Sequence, residues 1–360
     1  MKISRIEINN FRNIEKITLE PSEKTNVIYG MNAQGKTNLI EAVWMFSGHK
    51  SFRGAHDKEL VKFDSGESKL RIEYFGGGLK NDAEIRISDK RSYKINGVEL
   101  KSLTEMTEES NIIVFSPDQL SIIKDGPSLR RGFLNTAISS IYKTYGENLK
   151  KYNRILQQRN AVLKDAKISS YIYDMIVDYD NVLAAYGEKI IFARKRYIER
   201  LMEFMPKIFG GLTGEKENVK CLYKTEGLTE GTAEEIKEKL KENRKEDIIN
   251  GSTSVGPHRD DLLFTINDID VRSFGSQGQQ RSVMLALKLS EAELMEEISG
   301  EKPIALLDDV MSELDPHRQD YILNHIKDWQ VFITCCEPST IERMEGGKTF
   351  NIDGGKIVKE

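Results

Sequence analysis

Eight residues constrain this chain more than any others. Gly30-Met31-Asn32-Ala33-Gln34-Gly35-Lys36-Thr37 fits the pattern G-x-x-x-x-G-K-[ST]. It stands where such a loop must stand, after the β-branched run of residues 25 to 29 and before a helical run over 38 to 46. Glycines let successive backbone N–H groups wrap a phosphate chain, a lysine neutralises the β/γ charge, and a small hydroxyl coordinates magnesium. The loop therefore predicts a nucleoside triphosphate with Mg2+, held by Gly30, Met31, Asn32, Ala33, Gln34, Gly35, Lys36, Thr37 and Asn38. Thr37 is the expected metal ligand within the loop.

A phosphate cradle serves many chemistries, so a second half of the site must decide the class. Ile304-Ala305-Leu306-Leu307-Asp308-Asp309 is an apolar strand ending in two carboxylates. It predicts Asp308 beside the magnesium and leaves Asp309 to orient or deprotonate an attacking water. Ser312-Glu313-Leu314-Asp315 follows closely. Upstream, Gly275-Ser276-Gln277-Gly278-Gln279-Gln280-Arg281 opens an amphipathic helix through Leu289. Ser276, Gly278 and Gln279 there offer a hydroxyl, exposed backbone and a helix N-terminus to an anion. If the glycine-rich loop already cradles the nucleotide, the economical partner for this second anion site is the nucleotide of another protomer. The expected catalytic set is Lys36, Asp308, Asp309 and Ser276.

Residues 1 to 120 and 251 to 360 read as one head. Ile3, Ile6 and Ile8 mark an opening strand, residues 70 to 75 and 83 to 87 flank three glycines, and Asn96-Gly97 is a hairpin signal. Strand-like segments near 262, 303 and 331 alternate with helical stretches, which argues for an α/β sheet, and the chain closes on a hairpin over 350 to 358. Residues 121 to 250 read as an inserted arm. Apolar residues step by three and four from Leu134 to Leu163, and again from Ile172 to Phe204, ending before Pro206. Two stripes of about 35 residues, joined by a polar link near Ser169-Ser170, predict an antiparallel helical hairpin roughly 50 Å long.

Composition closes off other classes. No run approaches the roughly 18 apolar residues of a membrane span, and MKISRIEINN leads into alternation without a secretory core, so a cytoplasmic protein is expected. Cys221, Cys335 and Cys336 form neither a disulfide framework nor a C-x-x-C motif, and the five histidines never take H-E-x-x-H spacing. Net charge is only −4, but residues 121 to 210 carry 16 Lys or Arg against 9 Asp or Glu. That local surplus fits either a phosphate-backbone surface or a solvated helix face.

Together these motifs resemble the ABC-type ATPase heads of SMC and Rad50 proteins, and more narrowly the RecF family of bacterial recombination mediators. The resemblance is carried by Asn10-Phe11-Arg12-Asn13, residues 30 to 38, Ser51-Phe52-Arg53, Phe115-Ser116-Pro117, Arg130-Arg131, Gly256-Pro257-His258-Arg259-Asp260-Asp261, residues 276 to 281 and residues 307 to 315. It implies an α/β, Rad50/SMC-like P-loop head with an antiparallel β layer and an inserted α-helical arm. It also implies a homodimer that closes on ATP, with Ser276 and Gly278 meeting the γ-phosphate held by the other copy's Lys36 and Thr37. The implied partners are double-stranded and gapped or junction DNA, with RecR and RecO and, through them, RecA. Arg130, Arg131, Lys150, Lys151, Arg154, Arg159, Arg194, Lys195, Arg196 and Arg200 are the candidate DNA contacts on or near the arm.

Two departures stand out. Asp309 occupies the place where ABC ATPases carry glutamate, and residues 331 to 336 end in Thr334-Cys335-Cys336 with no switch histidine. Gln119 is the candidate for the glutamine that reaches the metal, or else an ordinary loop residue. Arg53, His258 and Arg259 are open between a functional role and a structural polar network. The rivals are a transporter-type ATP-binding subunit, disfavoured by the long arm and the missing histidine, and a nucleotide-gated scaffold.

Overall fold

The structure, a computed structural model, describes residues 1–101, 105–106, 111–165, 172–214, 217–336 and 347–359. They form two compact units. The first comprises Met1–Leu120, Gly210–Lys216 and Leu285–Glu360, and the second Ser121–Phe209 and Glu217–Met284.

In the first unit a six-stranded sheet runs in the order Lys356–Lys359, Lys348–Asp353, Thr25–Tyr29, Gln330–Cys335, Ile304–Leu307, Ile112–Phe115. All its pairings are parallel except that of the terminal hairpin. Ile304–Leu307 and Gln330–Cys335 are buried at every position, as near-continuous apolar runs in a parallel sheet must be. Leu307 pairs with Ile333 and Cys335 with Tyr29, so the carboxyl ends of these strands emerge along one edge, the edge where open α/β sheets bind ligands.

A second, antiparallel sheet takes the order Ile14–Leu19, Lys2–Phe11, Ser68–Gly76, Leu79–Ile87, Arg91–Ile95, Val98–Glu99. Its inward residues alternate, Leu70, Ile72 and Tyr74 being buried, and they share one core with Leu39, Ile40 and Val43 of the helix Lys36–Trp44 and with Ile28, Leu306 and Phe332 of the parallel sheet. The Asn96-Gly97 turn has positive φ at both residues, 49° and 77°, the geometry a two-residue hairpin requires.

The second unit holds the long helices, with differences from the expected stripes. The first stripe breaks into Pro127–Ile141 and Lys143–Asp165 because Tyr142 leaves the helical region, at φ −125° and ψ 102°. The second helix, Ile172–Thr213, runs through Pro206 instead of stopping before it. A proline inside a helix costs about 3 kcal/mol. Beyond it Ile208, Phe209 and Leu212 are buried, each contributing roughly 1.5–3 kcal/mol, enough to outweigh that cost. The link near Ser169-Ser170 lies outside the described residues.

The strand expected in the head near 262 also belongs here. Asp261–Ile266 pairs antiparallel with Val219–Lys224 and Ile269–Asp270 in a separate three-stranded sheet, so the compact units divide at Met284 and Leu285 and not at residue 251.

Candidate nucleotide site

The loop from Gly30 to Thr37 leaves the buried strand Thr25–Tyr29 and enters Lys36–Trp44. Its glycines are required by space as well as by conformation. Gly30 (φ 151°) has Ile352 O where a Cβ would sit, and a Cβ on Gly35 (φ 110°) would fall 2.8 Å from Asn13 Oδ1. The loop is anchored from below, since Gln34 Oε1 accepts from Gly354 N at 2.6 Å and Gln34 O from Gly355 N at 2.9 Å. Lys36 is buried, and its Nζ donates to Gly30 O at 2.8 Å and Met31 O at 3.1 Å, with Cys336 Sγ at 4.0 Å. These acceptors are neutral, and among the described residues no carboxylate is bonded to the ammonium.

Asp308 sits opposite. Its Oδ1 accepts from Thr37 Oγ1 at 2.9 Å and from Thr334 Oγ1 at 2.9 Å. Burial raises its pKa, while the two hydroxyl donors oppose that and the charge of Asp309 adds to it. Thr37 Oγ1 and Asp308 Oδ1 are two hard oxygens on adjoining loops. No group of three or more His, Cys, Asp or Glu suited to a metal exists among the described residues. This donor set fits Mg2+, which is held by one or two protein oxygens and takes the rest of its octahedron from water and phosphate. Asp309 is half-buried and left-handed at φ 51°, an uncommon conformation for a non-glycine residue. Its N–H donates to Thr334 Oγ1 at 2.8 Å, and it lines a cleft of about 770 Å³ beside the loop. Thr334 therefore ties both aspartates together from the strand where a switch histidine would follow.

The same cleft is lined by Asn32, Ala33, Gly35, Lys36, Thr37 and Asn38, and by Arg53, which reaches Asn38 Oδ1 at 3.2 Å. Residues that sequence reasoning did not place there complete it: Arg12, Asn13, Lys58, Glu59, Val61 and Phe63. Arg12 clamps the fully buried Glu41 through two bonds of 2.9 and 3.0 Å, and Ser51 Oγ also donates to Glu41. Phe63 is 94% exposed where it lines the cleft. Its flanks, Lys62 and Asp64, carry no pattern that would have singled it out.

Ser276 lies in the second unit at the start of Gln277–Ser299. Ser276 Oγ accepts from Gln279 N at 3.2 Å while Gln279 Oε1 accepts from Ser276 N at 2.9 Å, a reciprocal N-terminal cap that holds the exposed serine at the helix tip. Gln279 Nε2 is spent on Glu217. Gln119 does not line the cleft: its Oε1 accepts from Ser116 N within its own turn.

Three of the ten candidate DNA contacts are interior. Arg130, Arg159 and Arg194 are at most 2% exposed. Arg130 is bidentate to Asp261 at 2.6 and 2.9 Å. Arg159 bonds Asp180 at 2.7 Å and Asp247 at 2.8 Å, and Arg194 is ringed by Tyr145, Tyr223, Asn135 and Pro257 O. Their guanidiniums organise the unit's core and are withdrawn from any surface role. Lys150, Lys151, Arg154 and Arg196 are exposed.

The segment from Gly256 to Asp261 is likewise structural at most of its positions. Gly256 (φ 125°) leaves room for Tyr152 Oη, which a Cβ would meet at 2.5 Å. Tyr152 Oη donates to His258 Nδ1 at 2.7 Å, His258 Nε2 donates to Thr253 O at 3.0 Å, and Arg259 caps the same carbonyl. Burial pushes His258 down to about 4, so it is neutral at physiological pH.

A loop, lysine and hydroxyl facing two aspartates at the carboxyl edge of a parallel sheet, beside an antiparallel layer, define an ABC-type P-loop ATPase head. The family model described as RecF/RecN/SMC N terminal domain matches residues 2–352, and the chain belongs to the RecF family. It is 40% identical over 366 residues to the DNA replication and repair protein RecF of Lachnospira eligens, and 40% over 364 residues to that of Clostridium acetobutylicum, covering 100% of both chains in each case. A solved structure of the recombination mediator protein RecF-ATP in the RecFOR pathway superposes with a TM-score of 0.92 at 39% identity, over 100% of this chain and 97% of that one. An Smc head domain derived from Pyrococcus furiosus, bound to the C-terminal domain of ScpA, shares the fold with a TM-score of 0.56 at 14% identity, over 99% of this chain and 96% of that one.

Proposed function

We propose that this chain is an ATP-dependent, DNA-binding recombination mediator of the cytoplasm whose hydrolysis works as a switch. The observation that carries the nucleotide half is the Thr37–Asp308 pair opposite Lys36. On ATP binding, Lys36 Nζ exchanges the carbonyls of Gly30 and Met31 for β/γ oxygens, and the loop N–H groups wrap the chain. Mg2+, held by Thr37 Oγ1 and Asp308 Oδ1, would supply neutralisation of phosphate charge. Asp309 orients the attacking water or takes its proton.

The isolated chain keeps its own Ser276 capping a helix tip. In the proposed dimer, Ser276 and Gly278 of a second copy meet the γ-phosphate, so that association gates chemistry. The exposed Lys150, Lys151, Arg154 and Arg196 offer contacts to a DNA backbone rather than base readout. The relatives' role in replication and repair, and the RecFOR pathway of the solved RecF, support action at duplex, gapped or junction DNA with RecR and RecO to promote RecA loading.

The test is ATP hydrolysis with and without a gapped duplex at low salt. Stimulation by DNA that falls steeply with added salt is expected, with Lys36→Ala inactive throughout. Hydrolysis indifferent to DNA and raised only by a protein partner would favour a scaffold instead.

A further inference from the structure

A pocket of about 230 Å³ in the second unit is lined by a cation that, among the described residues, no carboxylate bonds. Arg194 is 2% exposed. Its Nε donates to Tyr145 Oη at 3.0 Å, Nη1 to Tyr223 Oη at 3.3 Å and Pro257 O at 2.7 Å, and Nη2 to Asn135 Oδ1 at 2.9 Å. All four acceptors are neutral, and burial raises both tyrosines' pKa, keeping the phenols protonated. A guanidinium has five N–H donors, so one on Nη2 has no protein acceptor among the described residues. Arg194 thus makes no direct ion pair: the carboxylate that acts on it, Asp260, is joined to it only through Tyr223 Oη, which accepts from Nη1 and donates to Asp260.

Around the pocket three guanidiniums, Arg130, Arg131 and Arg194, face two carboxylates, Asp260 and Asp261. Asp260, the carboxylate that acts on both Arg194 and Arg131 through space, is engaged by Tyr223 Oη and Glu226 N, and Asp261 is taken by Arg130. Arg131 lines the same pocket, its Nη1 on Asp260 O at 2.9 Å, and its pKa is lowered by burial and by Arg194. His258 adds no charge, since both ring nitrogens are committed in the neutral form. At the mouth, Ser128 and Asn153 are exposed, and Ser128 stands in the first turn of Pro127–Ile141, which has no acidic residue there. Two cations, amide donors and the positive end of a 15-residue helix converge on a space open to solvent.

We propose that this pocket is an anion site that takes a single phosphate group, with Arg194 and Arg131 as its cations and Ser128, Asn135 and Asn153 as its neutral donors. Its volume is below the roughly 300–1,000 Å³ of pockets that take whole drug-sized molecules. The phosphate is therefore a free ion or one group of a polynucleotide, either a chain terminus or a backbone diester.

The experiment is a calorimetric titration of the full chain with inorganic phosphate, repeated on Lys36→Ala and on Ser128→Glu. The second variant puts a negative charge at the exposed mouth without disturbing the buried network, and a thermal melt confirms its fold. Saturable binding that survives Lys36→Ala and weakens about tenfold or more in Ser128→Glu is expected. Binding lost in Lys36→Ala and unchanged in Ser128→Glu would assign the ion to the glycine-rich loop and overturn the proposal, as would no saturable binding in any form. Competition by short oligonucleotides then identifies the source within a supported site. Displacement only by a 5′-phosphorylated strand means a terminus, displacement also by the 5′-hydroxyl strand means the backbone, and displacement by neither means the free ion.

Discussion

The two units use their charges in opposite ways. In the first, Lys36, Arg53 and Asp309 face a cleft, and the buried Glu41 serves to hold Arg12 at its wall. In the second, Arg130, Arg159, Arg194 and Arg244 are turned inward, with Asp180 between Arg159 and Arg244 and Asp247 on Arg159. A charge surplus along a sequence counts ionisable groups and not the direction they point. Burial removes three cations and the carboxylate of Asp180 from the surface of the segment that looked most basic. What is left for a polyanion is a handful of exposed lysines and arginines and the proposed anion pocket.

That contrast can be broken most forcefully from inside the second unit. Arg159→Met leaves Asp247 with only the N–H of Ser254 and Asp180 with only Arg244, and should cost about 3–5 kcal/mol in urea unfolding while leaving ATP affinity of the folded protein unchanged. A loss below about 1 kcal/mol would mean the network is not what holds the unit together. In the first unit the effect should be functional: Asp309→Asn is expected to slow hydrolysis about 100-fold with ATP binding retained, read by single-turnover kinetics.

Acid sharpens the comparison, because each unit buries one neutral histidine. Burial, with a smaller contribution from Lys288, holds His49 down at about 4, and burial does the same for His258. The unfolded chain takes up these protons below about pH 6.5 and the folded chain only near 4. Stability is therefore full above 6.5 and falls as pH drops, by about 1.5 kcal/mol per histidine between pH 6.5 and 5. Urea midpoints at those two pH values should show His258→Asn losing one histidine's share of the slope. The smallest effect should come from the surface: Lys150→Gln with Lys151→Gln should weaken DNA binding severalfold and reduce the salt slope by about 2, measured by anisotropy.

The first unit was the more legible in sequence. Its loop, its aspartates and its hairpin turn are local patterns, each dictated by what a few neighbouring residues can do: Gly30 beneath Ile352 O, Asn96-Gly97 at positive φ, Thr37 opposite Asp308. The second unit is held by partners far apart in the chain. Arg159 meets Asp180 and Asp247 at separations of 21 and 88 residues, and Arg130 meets Asp261 at 131, so no helical period announces that these arginines are inside. The helix break is hidden for a related reason: one residue leaving the helix at Tyr142 does not disturb an apolar stripe spaced by three and four. The strand Asp261–Ile266 looked like head because its pattern is generic; only its pairing with Val219–Lys224 places it. Phe63 had no local signature.

The central claim is that ATP joins two copies through Ser276. Sedimentation of Asp309→Asn with and without ATP and magnesium, beside the same protein carrying Ser276→Arg, tests it most directly. The account predicts a monomer without nucleotide, a dimer with it, and a monomer throughout once Ser276 is replaced, with ATP binding intact in both proteins. A protein that stays monomeric with ATP bound, or a dimer that forms regardless of Ser276→Arg, would contradict it.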